Sequence, residues 1–449
     1  MIARTLGLFL AAALVLVSGA GAAARISPAE IETQLHRLVN GRNPWPGFDA
    51  LSIPLAVYDG SRTYVFRHPK PGPEFAAPDH GVYVMSGRHA AMTSNSSAEI
   101  GGIMTATLMA DGDLGAQSAN ELAATALHES FHVFQRAHHP GWSGNEGDLL
   151  LYPVDDAKLL ALRRQETDAL RRAMATRSKT EAACGARLAM DARRERFAAM
   201  DTAFSSYERL TELNEGLATY VQLYALYQKP TFPEHEFDAA AVRHRIYTVG
   251  PALAYLLDMF KPGWQQSLEQ NDAQFLDEML TAAIPSGNST CAFSAADREQ
   301  FELSARADAQ SVVAAREKKR RDFDAYSGYQ IVIDVIDKNP LFPEGFDPLN
   351  VERVDKGLLH TRYVKLSNQH GSLEALDETD ADIQVLTEGP GPHPLFNGVT
   401  HAVIHVPAKP GVNIRGEHRV EVNAPGFTIR VEKATIKEDG HVLRIQLGR

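Results

Sequence analysis

The sequence predicts an α+β protein with an N-terminal β-sheet, a mainly helical middle and a C-terminal all-β domain, either a sandwich or a small barrel. Short β-rich segments separated by Gly, Pro, Asp and Asn occupy residues 50–110. Helical signals dominate from Ser118 to about residue 284, and period-two strands recur after residue 327. We therefore expect one large domain at residues 25–326 and a second domain at residues 327–449.

Local signals set the limits of the predicted elements. A short amphipathic helix is expected at residues 25–40, before the strands. Ser118-x-x-Glu121 is a capping box that opens the next helix, and Pro140-Gly141 ends it. Near the C-terminus, Asp439-Gly440 has the composition of a hairpin turn. Further helices are predicted at residues 155–178, 180–206, 208–228, 249–260 and 295–324.

Composition and charge narrow the class of protein. With 449 residues, 44% of them hydrophobic and 22% charged, the chain is long and apolar enough for large buried cores. The formal net charge of −11 argues against nucleic-acid binding, because such proteins carry a basic surface that displaces phosphate counterions.

The first 24 residues have the pattern of an export signal. Arg4 supplies positive charge, Leu6–Val17 is almost wholly apolar, and Ala22-Ala23-Ala24 offers a cleavage site. The apolar run is short for a bilayer span, and the alternative is an uncleaved membrane anchor. We expect a periplasmic or secreted protein that has no stable membrane insertion after cleavage.

Two cysteines, Cys184 and Cys291, are the whole thiol content. In an exported protein they are expected to form one disulfide across a long loop, and two buried free thiols are the alternative. Two cysteines are too few for a cysteine-rich zinc module, so a zinc site here would use histidine and carboxylate ligands.

The most informative segment is His128-Glu129-Ser130-Phe131-His132, which has the H-E-x-x-H pattern. On a helix, residues four apart lie on one face, so the two histidines can bind one Zn²⁺. Glu129 would project beside the metal and take a proton from zinc-bound water. Apolar Leu127, Phe131 and Phe134 are expected to bury the flanks of this helix.

The third ligand of such a site has two candidates. His138 lies at the third-histidine spacing of metzincins, but that motif needs a helix break at a glycine where this chain has Gln135. On an unbroken helix His138 points away from the metal, and His138 and His139 form a polar helix end instead. The other candidate is Glu215, in Asn214-Glu215-Gly216-Leu217-Ala218.

That segment resembles the N-E-G-x-A segment of gluzincin aminopeptidases, the aminopeptidase-N-like and glycyl aminopeptidase families. The resemblance covers roughly residues 95–260 and implies a thermolysin-like, mainly helical catalytic domain that binds one zinc ion through His128, His132 and Glu215. Tyr247-Thr-Val-Gly250 is similar to the Y-x-x-G segment of the same families. That likeness implies that Tyr247 donates a hydrogen bond to the oxyanion, with His244 and Arg243 as alternatives for that contact or for a substrate carboxylate.

Three features depart from the families. Gly102-Ile103-Met104-Thr105 lacks the Glu of their G-x-M-E-N segment, which binds the free amine of the substrate. Glu215 follows His132 by 83 positions, so residues 141–206 would form a helical insertion, a lid or a substrate-selecting wall. The N-terminal region is also too short for the β-domain that precedes their catalytic domain.

The sequence therefore predicts an exported zinc metallopeptidase that acts on peptide or protein substrates. Two alternatives stay open. One is a non-catalytic zinc-binding or partner-binding protein that keeps the peptidase fold, and the other is a metzincin-type peptidase that uses His138 as its third ligand.

Overall fold

The computed structural model describes residues 26–41, 43–111, 117–285, 291–376, 384–415 and 419–448. In chain order it has an N-terminal sheet, a helical middle and a C-terminal region of sheets, which confirms the predicted mixture of helix and strand. The chain divides into two compact units. The first contains Asp49–Ser130 and the chain before residue 43, and the second contains Asn43–Phe48 and the chain from Phe131 on.

The N-terminal sheet has five strands. One helix, α1 (Pro28–Val39), precedes it and is capped by the Ser27 side chain. The strands are β1 (Leu55–Tyr58), β2 (Arg62–Phe66), β3 (Tyr83–Ser86), β4 (Ser96–Ile100) and β5 (Ile103–Met109). They lie in the order β3-β2-β1-β5-β4, and only the β1–β5 pair is parallel among these described strands. Gly101 and Gly102, both at positive φ, turn the chain between β4 and β5.

The helical middle begins with α2 (Ala119–His138). Its N-terminus has the predicted capping box, because Glu121 N–H donates to Ser118 Oγ at 3.2 Å and Ser118 N–H donates to Glu121 Oε2 at 2.7 Å. The other helices are α3 (Glu146–Leu149), α4 (Ala157–Ala175), α5 (Lys179–Ala198), α6 (Thr202–Thr211), α7 (Leu217–Ala225), α8 (Val242–Phe260), α9 (Trp264–Glu269), α10 (Leu276–Ala283) and α11 (Ala295–Asp324).

Two predicted helix limits are wrong. The helix expected at 180–206 is two helices, because Asp201 caps a new one through its bond from Ala203 N–H at 2.9 Å. The helix expected to start near Val249 starts at Val242, which leaves Pro251 inside it. Ile246 is buried in the helical core and stabilises this earlier turn. The predicted start was too late because proline is most common in the first turn of a helix.

Residues 141–206, the segment predicted as a helical insertion, are mainly helical, as expected. Their helices α4 and α5 pack against each other, and α4 also packs against α8 and α11. A disulfide joins Cys184 on α5 to Cys291, with a Cα–Cα distance of 5.6 Å, which confirms the predicted pairing.

A buried ion cluster lies between these helices. Glu166 Oε2 accepts from Arg196 Nη2 at 2.6 Å, and Glu166 Oε1 lies 2.9 Å from Arg245 Nη2 and 3.2 Å from Arg193 Nη1. All four side chains are almost fully removed from solvent. Burial alone would raise the pKa of Glu166, but the three arginines outweigh burial and hold that pKa well below its usual value.

The C-terminal region contains two sheets that contribute to one hydrophobic core. Its strands are β6 (Tyr329–Val335), β7 (Phe342–Phe346), β8 (Val351–Val354), β9 (Gly357–His360), β10 (Tyr363–Asn368), β11 (Gly371–Leu376), β12 (Gln384–Glu388), β13 (His401–Val406), β14 (Gly411–Arg415), β15 (Arg419–Ala424), β16 (Phe427–Val431), β17 (Ala434–Asp439) and β18 (Val442–Leu447). The sheet orders are β14-β15-β16-β11-β10-β7 and β17-β18-β6-β13-β12-β9-β8. Ile331 of one sheet and Leu373 of the other belong to the same buried cluster. Gly440, at positive φ, lies in the predicted hairpin turn.

In the part of the chain that the structure describes, none of the helices is long and apolar enough to cross a membrane. The predicted signal peptide, residues 1–24, lies outside the described residues.

Candidate metal centre

Helix α2 carries His128 and His132 on one face, one turn apart. The flanks of this face are apolar, and Leu127, Phe131 and Phe134 are buried as predicted. The Phe131 ring packs edge-on against Trp45 at 5.3 Å between centroids, and Phe48 packs against it at 5.1 Å. This packing fixes the rotation of the helix and therefore the direction in which both imidazoles point.

Glu215 joins the two histidines. The structure places one ligand atom from each of His128, His132 and Glu215 within 4.8 Å of the others. Within this group His132 Nε2 lies 3.3 Å from Glu215 Oε2. Glu215 lies in a single π-helical turn, Glu212–Gly216, between α6 and α7. Such a turn widens a helix by one residue and occurs often at functional sites.

Arg243 on α8 holds the second oxygen of Glu215. Its Nη2 donates to Glu215 Oε1 at 2.8 Å, and its Nη1 donates to Glu146 on α3. Tyr207 donates to the other oxygen of Glu146 at 3.2 Å. Because Arg243 binds one oxygen of the Glu215 carboxylate, the other oxygen faces His132. The sequence offered Arg243 only as a candidate for oxyanion contact or for a substrate carboxylate. It gave no signal for Glu146, which reaches the site through tertiary packing.

Tyr247 also lies at the site. Its hydroxyl contacts both the Glu215 carboxylate and the Arg243 guanidinium. Burial, and then the negative charge of Glu215, raise the pKa of the Tyr247 phenol well above its usual value. The phenol therefore keeps its proton at neutral pH and can donate a hydrogen bond. His244, its alternative, instead packs edge-on against Phe237 at 6.0 Å.

His138, the last residue of α2, and His139, which follows it, point elsewhere. α2 continues through Gln135, and the His138 ring stacks on Phe134 at 4.4 Å, so the helix has no break of the metzincin kind at that point. The His139 ring stacks on Trp142 at 3.8 Å, and its two nitrogens lie 2.6 Å from Asp272 and 2.9 Å from Glu269. The sequence predicted a polar helix end here and gave no signal for these two carboxylate partners.

Gln135 also contacts a residue of the site, although its position in the sequence gave no indication of this. It is buried, and its carboxamide oxygen lies 2.8 Å from His132 Nδ1. A contact at Nδ1 leaves Nε2 as the imidazole atom that faces Glu215.

The donor set fits a zinc ion. Two imidazole nitrogens and one carboxylate oxygen are the protein ligands of one common type of catalytic zinc site, and three protein ligands leave a position for water or substrate. The contacts of His132 and Glu215 with Gln135 and Arg243 are the kind of outer contacts that fix such ligands.

Comparison of this chain with protein-family models, with curated proteins and with solved structures finds no match.

Proposed function

We propose that the chain is an exported zinc metallopeptidase of the gluzincin type, which hydrolyses peptide bonds in peptide or protein substrates. One observation carries the proposal, namely the approach of Glu215 to His128 and His132. Glu215 follows His132 by 83 positions, so a chance H-E-x-x-H helix gives no reason for this carboxylate to reach the same two imidazoles.

His128, His132 and Glu215 would hold Zn²⁺, which when bound supplies Lewis-acid polarisation of a carbonyl group and of water. Glu129 follows His128 directly and is buried, so its carboxylate is sheltered from bulk solvent. In the proposed reaction Glu129 accepts a proton from the attacking water and delivers it to the leaving amine. Tyr247, which keeps its phenolic proton, donates a hydrogen bond to the oxyanion that develops on the carbonyl.

The proposed domain organisation follows from the same hypothesis of an exported gluzincin-type peptidase. Residues 25–326 would form the gluzincin-like catalytic domain, and residues 327–449 would form a C-terminal all-β domain. Residues 1–24 would direct the chain to the periplasm or out of the cell. The disulfide between Cys184 and Cys291 supports export, because disulfides persist in oxidising compartments.

The variant Glu129→Gln tests the assigned reaction. It should bind zinc as the wild type does, because Glu129 is not a proposed ligand. Hydrolysis of a peptide library, followed by mass spectrometry, should fall by about 10²- to 10⁴-fold, the usual contribution of a positioned acid–base group.

A matched control is Glu195→Gln on α5, whose side chain is 61% exposed and which should hydrolyse peptides at the wild-type rate. Equal rates for Glu129→Gln and the wild type would contradict the role of Glu129. A wild-type chain that binds zinc and cleaves nothing in the library would favour the non-catalytic binding protein instead.

A further inference from the structure

The Gln135 side chain touches both segments from which the proposed ligands come. It lies one turn after His132 on α2 and is 2% exposed. Its carboxamide oxygen lies 2.8 Å from His132 Nδ1. Its carboxamide nitrogen donates to the backbone carbonyls of Leu213 and Asn214, at 2.8 and 2.9 Å. Those two carbonyls belong to the π-helical turn that carries Glu215.

The two carbonyls fix the orientation of the Gln135 amide. A carbonyl oxygen only accepts hydrogen bonds, so the group that faces Leu213 and Asn214 must be the NH₂ donor. The reversed amide would set its oxygen against two other oxygens in a buried place and would lose both hydrogen bonds to the turn. The amide oxygen therefore faces His132, and this oxygen can only accept.

The orientation of the amide bears on the tautomer of His132. Because the amide oxygen only accepts, it favours a proton on Nδ1. Glu215 Oε2, 3.3 Å from Nε2, is an acceptor as well, so in the metal-free chain it competes for a proton on Nε2. A cation held between Nε2 and Glu215 Oε2 would remove that competition and leave the proton on Nδ1 and the lone pair on Nε2. This is the form of the ring that binds a metal through Nε2.

We infer that Gln135 is a positioning residue, which favours the Nδ1–H tautomer of His132 and ties the turn of Glu215 to helix α2 through one buried amide. Its effect on metal affinity rests on the proposed function, since it acts through two proposed ligands. The residue stands where a metzincin would have its glycine, so the same position that excludes a helix break also supplies the link to Glu215.

The variant Gln135→Met tests the inference. Methionine keeps the length, the apolar stem and the helix propensity of glutamine but removes all three hydrogen bonds. A matched control is Gln265→Met on α9, because Gln265 donates to Tyr220 at 3.0 Å and to Asp258 at 3.3 Å, away from the proposed ligands. Both variants lose the bonds of a glutamine side chain, and only the first loses contact with the site.

Two measurements report on the inference. Zinc affinity, from competition with a chromophoric chelator, should fall about 10- to 100-fold in Gln135→Met and stay within about threefold of wild type in Gln265→Met. In metal-free protein that carries Glu215→Ala, which removes the competing acceptor at Nε2, the ¹⁵N shifts of the His132 ring should show the Nδ1–H tautomer. They should show a mixture of tautomers when Gln135→Met is added.

The outcomes separate this inference from the proposed function. The expected tautomer shift, together with a wild-type chain that binds no zinc, would sustain the positioning role and refute the peptidase. An unchanged tautomer when Gln135→Met is added, or wild-type zinc affinity in Gln135→Met, would overturn the inference. If that variant does not fold, Gln135→Glu, which keeps the acceptor and loses the donor to the carbonyls, should hold the tautomer and still weaken zinc binding. Wild-type zinc affinity in Gln135→Glu would contradict the claim that the hydrogen bonds from Gln135 to the turn of Glu215 support zinc binding.

Discussion

Gly216 and Gly250 meet backbone to backbone. A Cβ atom on Gly250 would lie 2.5 Å from the Gly216 Cα, and one on Gly216 would lie 2.8 Å from the Gly250 Cα. Both atoms in the way belong to the main chain, so neither can move aside cheaply. This contact lets α8 approach the turn of Glu215 closely enough for Arg243 to bind the carboxylate. It also explains why a glycine follows Glu215 in the sequence.

We predict that Gly250→Ala destabilises the protein by about 1–3 kcal/mol, the usual cost of overpacking. It should also weaken zinc binding, because α8 and the turn of Glu215 must move apart. The control is Gly141→Ala, where an added Cβ would meet nothing within 4 Å. Urea unfolding and chelator competition on both variants check the prediction. It fails if Gly250→Ala unfolds at the same urea concentration as Gly141→Ala.

Tyr247→Phe should lower kcat for peptide hydrolysis by about 10²- to 10³-fold, the cost of losing one donor to an oxyanion. Zinc content should stay near that of the wild type, because the phenol is not a proposed ligand. Steady-state kinetics with elemental analysis of the same sample measure both quantities. A variant with unchanged kcat would remove Tyr247 from the reaction and return Arg243 as the candidate for oxyanion contact.

The sequence predicts the elements that carry their own local signals. The helix Ala295–Asp324 has the predicted limits, and Asp439-Gly440 turns a hairpin as its composition indicates. Elements that depend on tertiary packing are missed. The strand Phe342–Phe346 contains Pro343 and Gly345, which disfavour a strand locally, and it forms only because β10 pairs with it.

The same distinction between local sequence signals and tertiary packing applies to the site. His128 and His132 follow from a motif that combines ligand chemistry with helical spacing, whereas Glu215 follows from the resemblance of its segment to N-E-G-x-A. Gln135 and Arg243 have no such signal, since a glutamine or arginine contacts a ligand only when the fold brings the partner to it. The pairing of buried charges around Glu166 is missed for the same reason, because a charge-rich helix most often has those charges in solvent.

Glu166→Gln should destabilise the protein by about 3–5 kcal/mol at pH 7, because it removes one of the buried carboxylates that compensate three buried arginines. Glu208 and Glu212 are the other buried carboxylates of this cluster, and they stay in the variant. The pKa of Glu166 is lower in the folded chain than its usual value of 4.5, so its contribution is present above pH 4.5 and is lost as the pH falls below that. The difference in the free energy of unfolding between the wild type and the variant should therefore become smaller in acid. Urea unfolding between pH 7 and pH 3 measures this difference. A difference that stays constant over this range would contradict the account.

Replacing both cysteines by serine should lower the free energy of unfolding by about 3–5 kcal/mol, since the disulfide closes a loop of 107 residues. Reductant should lower the free energy of unfolding of the wild type by a similar amount. It should leave the free energy of unfolding of the double variant unchanged. Thermal unfolding with and without reductant tests this. Equal midpoints for wild type and double variant under oxidising conditions would mean that the bond does not form.

The most direct test of the proposed metal centre is the zinc content of the exported chain, measured by elemental mass spectrometry after purification without chelators. We predict about one zinc per wild-type chain, the stoichiometry of a single three-ligand site. Glu215→Ala should lose the metal, and His138→Ala, on the same helix as His128 and His132, should keep it. A wild-type chain that carries no zinc and takes up none on titration would contradict the account. Zinc retained in Glu215→Ala and lost in His138→Ala would identify the metzincin arrangement instead.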